Sequence, residues 1–371
     1  IGEKAPREYW QLLPFIYPHI LRASFLNGQS DMMRWVDSLK KSQRILVVYG
    51  QNAPVTEEQK QNIEYFASKY NCAIVTDPIA NLDCKYNLKP HNTLMSISQA
   101  EFNENLAPDI LITVGGKRLM NDPLTFKIRG GPGNIRHWSV TPDGKIKDFY
   151  FRLSSVIEAD QHYFFKWFAE NAGDIHNNGV YFEKWRNYTN KYGSPAISQF
   201  NSLYIQSKFL PAIPKNSILH LGVGQSFIEC RRFHIDESVE VYCNMGTNGI
   251  DGCTSTFLGQ CAVVNDKLCF LLVGDLSFFY DMNSIWNKPL KKNMRILLVN
   301  NNGTGLLRNN NLKAITSVHN TSAEGWVKST GFEYISARSK EEYDDKLKYF
   351  LSNKPEKALF CEVCCEERLR L

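Results

Sequence analysis

The sequence lacks the long apolar runs and the one-sided charge that would place it in several large protein classes. No apolar stretch approaches the length of about 18 residues that a membrane-spanning helix needs. Basic and acidic residues nearly balance, with 43 Lys and Arg against 38 Asp and Glu, and the formal charge is +5. The densest basic stretch, residues 288–295, also contains proline and asparagine, which is typical of a solvated loop. We therefore expect neither a membrane nor a nucleic-acid partner.

Cysteine is too sparse for a small disulfide-bonded scaffold, with ten in 371 residues. Cys261 and Cys269 lie in or beside apolar runs, which is typical of buried thiols and favours a reducing, cytoplasmic location. Cys361 and Cys364 form a CxxC, but no second CxxC or histidine pair accompanies it in the sequence. We expect no metal site there. The chain begins at Ile1 without a signal-peptide pattern, which predicts a processed protein or part of a longer polypeptide.

Strands alternate with helices in residues 1–160. Apolar, β-rich runs predict strands at Ile45–Tyr49, Cys72–Thr76, Ile110–Val114 and His137–Val140. Apolar residues at helical spacing predict a helix from about Thr56 to Tyr70. This alternation predicts a parallel sheet covered on both faces, a Rossmann-like domain.

Residues 161–197 are rich in aromatic and asparagine side chains without a strand signal, and we predict a helical linker there. Residues 198–371 return to the α/β pattern, and a helix at about Lys340–Leu351 precedes the last strand. The strands predicted here are Ile218–Leu221, Val239–Tyr242, Leu268–Val273, Arg295–Val299 and Ala358–Val363. The predicted fold class is therefore α/β, with two doubly wound parallel-sheet domains.

Two features that could suggest function have simpler interpretations. The Gly222–Gly224 turn follows a strand like a dinucleotide-binding turn, but Phe227 stands where the third small residue is needed. We interpret it as a tight strand-to-helix turn. His220, inside a predicted strand, is expected to be a buried, hydrogen-bonded residue, whereas His319 could lie at the rim of a site.

The strongest signal is a pair of polar segments that each follow a buried strand. Gly274-Asp275-Leu276-Ser277 follows one strand, and Asn300-Asn301-Asn302-Gly303 follows the next. Neighbouring parallel strands would bring both segments to the carboxyl edge of one sheet, where α/β proteins bind ligands. A carboxylate, an amide oxygen and a backbone carbonyl are ligands that Mg²⁺ takes together with phosphate oxygens. The pattern therefore predicts a site for a metal-bridged diphosphate.

These segments resemble the thiamine-diphosphate signature, in which Gly-Asp precedes Asn-Asn. The run from Asn244 to Thr256, N-M-G-T-N-G-I-D-G-C-T-S-T, further resembles the loop N-R-G-x-S/N-G-I-D/E-G-x-x-S-T of the MenD family. Members of that family are 2-succinyl-5-enolpyruvyl-6-hydroxy-3-cyclohexene-1-carboxylate synthases. The resemblance implies a Rossmann-like middle domain followed by a thiamine-diphosphate-binding domain.

The resemblance also implies roles for particular residues. Asp275 and Asn301 would bind Mg²⁺ through their side chains, and Gly303 through its carbonyl. Ile250 would lie beneath the thiazolium ring. The remaining implied cofactor contacts are Gly274, Leu276 and Ser277 at the diphosphate and Leu306 or Leu307 along the same pocket.

The implied reaction is decarboxylation of 2-oxoglutarate and carboligation to isochorismate, a transferase step of menaquinone biosynthesis. Family members also carry an N-terminal pyrimidine-binding domain whose glutamate is catalytic, and nothing resembling it precedes residue 40. We therefore expect the chain to be a C-terminal portion that is inactive alone. The missing domain would be supplied in cis or by a partner subunit, in a homodimer or homotetramer.

Several positions depart from the family pattern where substrate carboxylates are bound. Met245 replaces an arginine, and Asp122 falls where a basic residue is expected. Gly224 and Ile228 fall where a serine and an arginine are expected, unless the alignment shifts slightly. The candidate substitutes are Ser226, Arg231, Lys117 and Arg118. Because methionine cannot bind a carboxylate as arginine does, a decarboxylase or carboligase for other 2-oxo acids and a non-catalytic paralogue stay open.

Overall fold

A computed structural model describes residues 20–25, 32–116, 122–175, 178–246, 248–304 and 313–365. These residues form two sheets in which every strand pair is parallel, and helices flank both sheets. The α/β fold class with two doubly wound sheets is thus confirmed. Within the described residues, none of the helices combines the length and apolar character needed to cross a membrane.

The first sheet has seven strands in the order β1-β7-β6-β5-β2-β3-β4. The chain moves outward from β2 in one direction through β3 and β4, and in the other through β5, β6 and β7. The topological switch point therefore lies between β2 and β5. The strands are β1 (Leu21–Ser24), β2 (Ile45–Tyr49), β3 (Cys72–Thr76), β4 (Asn87–Leu88), β5 (Ile110–Val114), β6 (Arg136–Thr141) and β7 (Leu153–Glu158).

Seven described helices surround this sheet, and their apolar residues form one core on each face. The second begins at Thr56, whose hydroxyl accepts the Gln59 N–H while the Gln59 side chain accepts the Thr56 N–H, a capping box. The helices are α1 (Met33–Lys41), α2 (Glu57–Lys69), α3 (His91–Ser96), α4 (Gln99–Asn105), α5 (Pro123–Arg129), α6 (Gln161–Glu170) and α7 (Val180–Lys191).

The predicted linker, residues 161–197, contains α6 and α7, and both helices pack on the first sheet. Phe164 and Phe165 of α6 are fully buried in the core on one face, and Trp185 of α7 is fully buried on the other. Burial of these aromatic rings removes a large apolar area from water. The domain boundaries themselves stay a prediction.

The second sheet has six strands in the order β12-β13-β11-β10-β8-β9. Its strands are β8 (Ile218–Leu221), β9 (Glu240–Cys243), β10 (Cys269–Gly274), β11 (Met294–Asn300), β12 (Glu333–Ala337) and β13 (Leu359–Cys364). Its helices are α8 (Ser202–Phe209), α9 (Gln225–Cys230), α10 (Cys253–Val263), α11 (Asp275–Tyr280), α12 (Lys313–Thr316), α13 (Glu324–Thr330) and α14 (Lys340–Phe350). Short 3₁₀ turns lie at Pro78–Ala80, Leu210–Ala212 and Met282–Trp286.

Four strands have no counterpart among the strands predicted from the sequence: β1, β4, β7 and β12. β4 has only two residues, and β1, β7 and β12 include polar or charged side chains that weaken an apolar strand signal. The helix α11 ends at Tyr280. Asp281 accepts the Ser255 N–H at 2.6 Å instead of continuing the helix.

Each sheet together with its helices is called a unit below. Polar contacts join the two units at the edge strand β9. The Asn81 side chain acts as a short strand partner: its Oδ1 accepts the Val241 N–H at 2.7 Å, and its Nδ2 donates to Val241 O at 2.9 Å. The Gln51 side chain donates to Cys243 O at 2.9 Å. An exposed sheet edge invites unwanted pairing, so these contacts both cover the edge and hold the units together.

A buried ion pair also joins the units. Arg231 Nη1 lies 3.0 Å from Asp122 Oδ1, and the two side chains are only 2% and 3% exposed. Arg231 follows α9, and Asp122 immediately precedes α5. Each charge is therefore compensated across the boundary between the units.

Replacing Asp122 by alanine tests this pair. We expect Asp122→Ala to lower the free energy of unfolding by about 3–5 kcal/mol, because the buried Arg231 guanidinium loses its counter-charge. Lys89→Ala is the control, since it breaks a partly exposed pair with Glu237 at 2.8 Å and should cost about 1 kcal/mol or less. Urea denaturation measures both. Equal costs for the two variants would contradict the structural role of the buried pair.

Candidate functional site

Two neighbouring strands of the second sheet deliver the predicted diphosphate segments to one edge. β10 and β11 pair in parallel with Gly274 opposite Val299, so the residues after each strand share the carboxyl edge. A cleft of about 100 Å³ lies there. Of the predicted site residues, those that line this cleft are Ser226, Ile250, Gly274, Asp275, Leu276, Ser277, Asn301 and Gly303. Lys117, Arg118, Leu306 and Leu307 lie outside the described residues.

Asp275 is the charged centre of the cleft and is only 3% exposed. Its Oδ1 accepts the Leu276 N–H at 2.7 Å, and its Oδ2 accepts the Gly303 N–H at 2.9 Å. Burial raises the pKa of Asp275, and the hydrogen bonds from Gly303 and Leu276 oppose that rise. The bond to Gly303 joins the end of β10 to the turn that follows β11.

His319 also contacts the Asp275 carboxylate, with Nε2 3.1 Å from Oδ2. His319 Nδ1 accepts the Thr321 N–H at 3.1 Å, so the proton of a neutral imidazole lies on Nε2 and is donated to Asp275. The ring packs edge-on against Phe279, with 5.4 Å between centroids. His319, which could lie at the rim of a site, is therefore in direct contact with Asp275, the predicted metal ligand.

Gly303 has a backbone conformation that requires glycine. Its φ is +141°, and a Cβ atom would lie 2.7 Å from Thr316 O. The Thr304 N–H donates to the same carbonyl at 3.0 Å, and the His319 N–H donates to Asn302 O. These bonds hold the turn after β11 against the segment that carries His319.

The loop that contains Ile250 lies against the same cleft. The Ser277 hydroxyl donates to Ile250 O, and the Asn244 side chain donates to Gly252 O at 3.1 Å. Gly252 has a left-handed φ of +75° and precedes α10. Asn244 is thus bonded to the residue that precedes α10, and Ile250 is bonded to α11.

The oxygen ligands around this cleft fit a magnesium ion bound to a diphosphate. No group of three or more His, Cys, Asp and Glu side chains that could hold a metal occurs in the described part of the chain, so the set would combine the Asp275 carboxylate, the Asn301 amide and the Gly303 carbonyl. Among the described residues, three hydrogen bonds use three of the about four acceptor positions of the Asp275 carboxylate, which leaves one for a cation. A Cβ atom at Gly274 would have nothing within 4 Å, so this wall of the cleft is open for a ligand.

The positions considered for substrate carboxylates have different surroundings. Ser226 lines the cleft, whereas the Arg231 guanidinium is bound by Asp122 and Arg231 is not among the described lining residues. Met245 is 1% exposed and packs in the core beneath β9. His220 is buried and bonded to the Gln260 side chain, as expected, and burial lowers its pKa.

Sequence reasoning missed Glu362, a fully buried carboxylate in β13. Its Oε1 accepts from Asn300 Nδ2 at 2.7 Å, while its Oε2 accepts from the Ser322 and Tyr334 hydroxyls at 2.8 and 2.6 Å. Both oxygens also lie 3.2 Å from the Ala323 N–H. Glu362 therefore ties the residue before Asn301 to the segment after His319. A charged residue inside the apolar run Phe360–Val363 is the signal that could have identified it.

Comparison with curated proteins finds several relatives that share one name. The chain is 32% identical over 340 residues to the 2-succinyl-5-enolpyruvyl-6-hydroxy-3-cyclohexene-1-carboxylate synthase of Phocaeicola vulgatus, covering 87% of this chain and 58% of that protein. The synthase of Bacteroides thetaiotaomicron is 30% identical, covering 85% and 57%, and that of Christiangramia forsetii is 28% identical, covering 91% and 60%. The chain belongs to this family. It spans less than two thirds of the length of these relatives, and no family model matches it.

Two glycine substitutions separate folding from ligand access. We expect Gly303→Ala to lower the free energy of unfolding by about 1–3 kcal/mol, because of its left-handed φ and the contact with Thr316 O. Gly274→Ala should change stability by no more than about 0.5 kcal/mol, yet its methyl group would enter the cleft. In protein that also contains the pyrimidine-binding domain, we therefore expect it to weaken binding of magnesium thiamine diphosphate. Urea denaturation and titration calorimetry measure the two effects. Unchanged cofactor binding by Gly274→Ala would contradict this use of the cleft.

Glu362→Gln tests the buried carboxylate. We expect a loss of about 1–3 kcal/mol in the free energy of unfolding, because an amide NH₂ would face donors that now bind a carboxylate oxygen. Glu333→Gln is the matched control, since Glu333 accepts a hydrogen bond from the Tyr349 hydroxyl at 2.8 Å at a partly exposed position. Thermal unfolding compares the two, and an equal shift would argue against a special role for Glu362.

Proposed function

We propose that this chain forms the magnesium diphosphate half of a thiamine-diphosphate-dependent carboligase. The proposed reaction is decarboxylation of 2-oxoglutarate and transfer of the succinyl unit to isochorismate, as a step of menaquinone biosynthesis. The observation that carries the proposal is the buried Asp275 carboxylate, bonded to Gly303, in a cleft that Asn301 also lines. The names and the extent of similarity of the synthases above support it.

In this proposal the chain's residues orient the cofactor and bind the charged groups of its magnesium diphosphate. Asp275, Asn301 and the Gly303 carbonyl would hold Mg²⁺, while Gly274, Leu276 and Ser277 would contact the diphosphate. When bound, thiamine diphosphate supplies the carbanion chemistry of decarboxylation and carboligation. Ile250 would support the ring end of the cofactor, because Ser277 holds its loop at the cleft.

The protonation of Asp275 affects how firmly the site could hold a cation. Metal binding requires the ionised carboxylate, and burial raises the pKa of Asp275. Affinity for Mg²⁺ should therefore begin to fall at a higher pH than it would for an exposed aspartate. The N–H groups of Leu276 and Gly303 favour the ionised form and limit that effect.

A second candidate is a thiamine-diphosphate-dependent decarboxylase or carboligase that acts on other 2-oxo acids. The Arg231–Asp122 pair favours it, because an arginine already neutralised by a buried carboxylate is a poor receptor for a substrate carboxylate. Met245, buried in the core, offers no charge in its place. We place the first candidate ahead, since the similarity extends over most of the chain.

Asp275→Asn tests the cofactor role. We expect the affinity for thiamine diphosphate in the presence of Mg²⁺ to fall at least about tenfold, because one charged interaction is lost. Asp266→Asn, at an exposed position, should leave it unchanged. Titration calorimetry measures both, in protein that also contains the pyrimidine-binding domain. Equal affinity in the two variants would contradict the proposal.

The same protein distinguishes the two candidates when it receives 2-oxoglutarate with and without isochorismate. Mass spectrometry should detect an adduct of the two that has lost CO₂ and that is absent with Asp275→Asn. Release of CO₂ without the adduct would favour the second candidate. Cofactor binding without turnover of any 2-oxo acid would contradict both.

A further inference from the structure

A second cleft, of about 360 Å³, lies at the carboxyl edge of the first sheet. Its lining includes Gly50 after β2, Gly115 after β5 and Thr141 at the end of β6. It therefore lies at the switch point between β2 and β5, where doubly wound sheets bind ligands. Its volume falls at the lower end of the range for small-molecule sites, about 300–1,000 Å³. None of the described residues that line the diphosphate cleft lines this one.

Backbone atoms of glycine residues form the floor of the cleft. A Cβ atom at Gly50 would lie 2.2 Å from Gly116 O, and Gly115 has a left-handed φ of +78°. The Gly50 N–H donates to Val114 O, and the Gly116 N–H donates to Gln51 O at 2.8 Å. Glycine is therefore required where the two neighbouring strands end, and these positions place no side chain of their own in the cleft.

One sheet face is polar where it borders the cleft. Val48 of β2 is apolar, but Thr113 of β5 and His137 and Ser139 of β6 line the cleft on the same face. Strands covered on both faces are normally apolar throughout. The Thr113 hydroxyl lies 2.9 Å from His137 Nε2, and His137 Nδ1 lies 3.8 Å from Asp148 Oδ1, beyond hydrogen-bond distance. Such a polar wall inside a covered face suits a ligand with hydrogen-bonding groups.

Two lysines lie at the mouth of the cleft, and one of them is paired: Lys145 Nζ lies 3.1 Å from Asp143 Oδ2 at an exposed position, which leaves Lys147 as the other basic group. Of the described residues that line it, Lys145 and Lys147 are basic and none is an aspartate or glutamate. Lysines with hydroxyl donors suit a phosphate, whereas bidentate recognition of a carboxylate favours arginine. Two aromatic rings complete the wall: Tyr150 is buried against the His137 ring at 5.3 Å, and Phe149 is 42% exposed.

We propose that this cleft binds a phosphorylated aromatic small molecule of mononucleotide size. Its phosphate would lie at Lys147, and its ring system against Phe149. The proposal is independent of the carboligase function, because the cleft belongs to the other sheet.

The test is calorimetric titration of the full chain with AMP, with adenosine and inorganic phosphate as partial ligands. We expect AMP to bind, and to bind at least about tenfold more tightly than either part. Lys147→Ala should weaken AMP binding about tenfold, because one charged contact is lost. Lys166→Ala, an exposed lysine of α6, is the matched control and should have no effect.

Asp275→Asn locates the binding, since it should leave AMP affinity unchanged if the nucleotide occupies the first sheet's cleft. Three results would overturn the proposal: no AMP binding, equal binding of AMP and adenosine, or loss of AMP binding with Asp275→Asn. Equal binding of AMP and phosphate would overturn its aromatic half. Circular dichroism of each variant separates a lost contact from a lost fold.

Discussion

The hydrogen bond from the Gly303 N–H to the Asp275 carboxylate is the contact on which the candidate site depends. It joins the ends of two parallel strands, and its geometry requires both the buried carboxylate and a glycine that can adopt φ +141°. His319 and Glu362 support it from either side, since one contacts Asp275 and the other holds Asn300. A cation at this place would therefore meet ligands whose positions are already determined by the sheet.

The contacts between the two units affect which substrates the candidate site could bind. Arg231 follows the helix α9 that begins beside the cleft, yet its guanidinium is bound to Asp122 of the other unit. A buried arginine with a buried counter-charge is costly to separate. The same pair therefore stabilises the arrangement of the two sheets and removes a positive charge from possible substrate binding.

The two sheets follow one rule of α/β architecture with different chemistry. In both, polar residues gather at the carboxyl ends of central strands, where side chains no longer need to pack against covering helices. The second sheet offers oxygen donors around Asp275, suited to a cation and its anionic ligand. The first offers Lys147 and a wall of hydroxyls, suited to an anion alone.

The central strands and the polar segments after them could be predicted from the sequence, because strands such as Ile45–Tyr49 and Ile218–Leu221 are short, continuous apolar runs. The strands β1, β4, β7 and β12 could not, since β4 has only two residues and the others include polar or charged side chains. The same limit applies to the site. By itself the sequence determined that Asp275 and Asn301 follow buried strands and share a family motif. Only the tertiary structure decided that His319 and Glu362 support them and that Asp122 neutralises Arg231. Such contacts join residues far apart in the chain, and local sequence pattern carries no record of them.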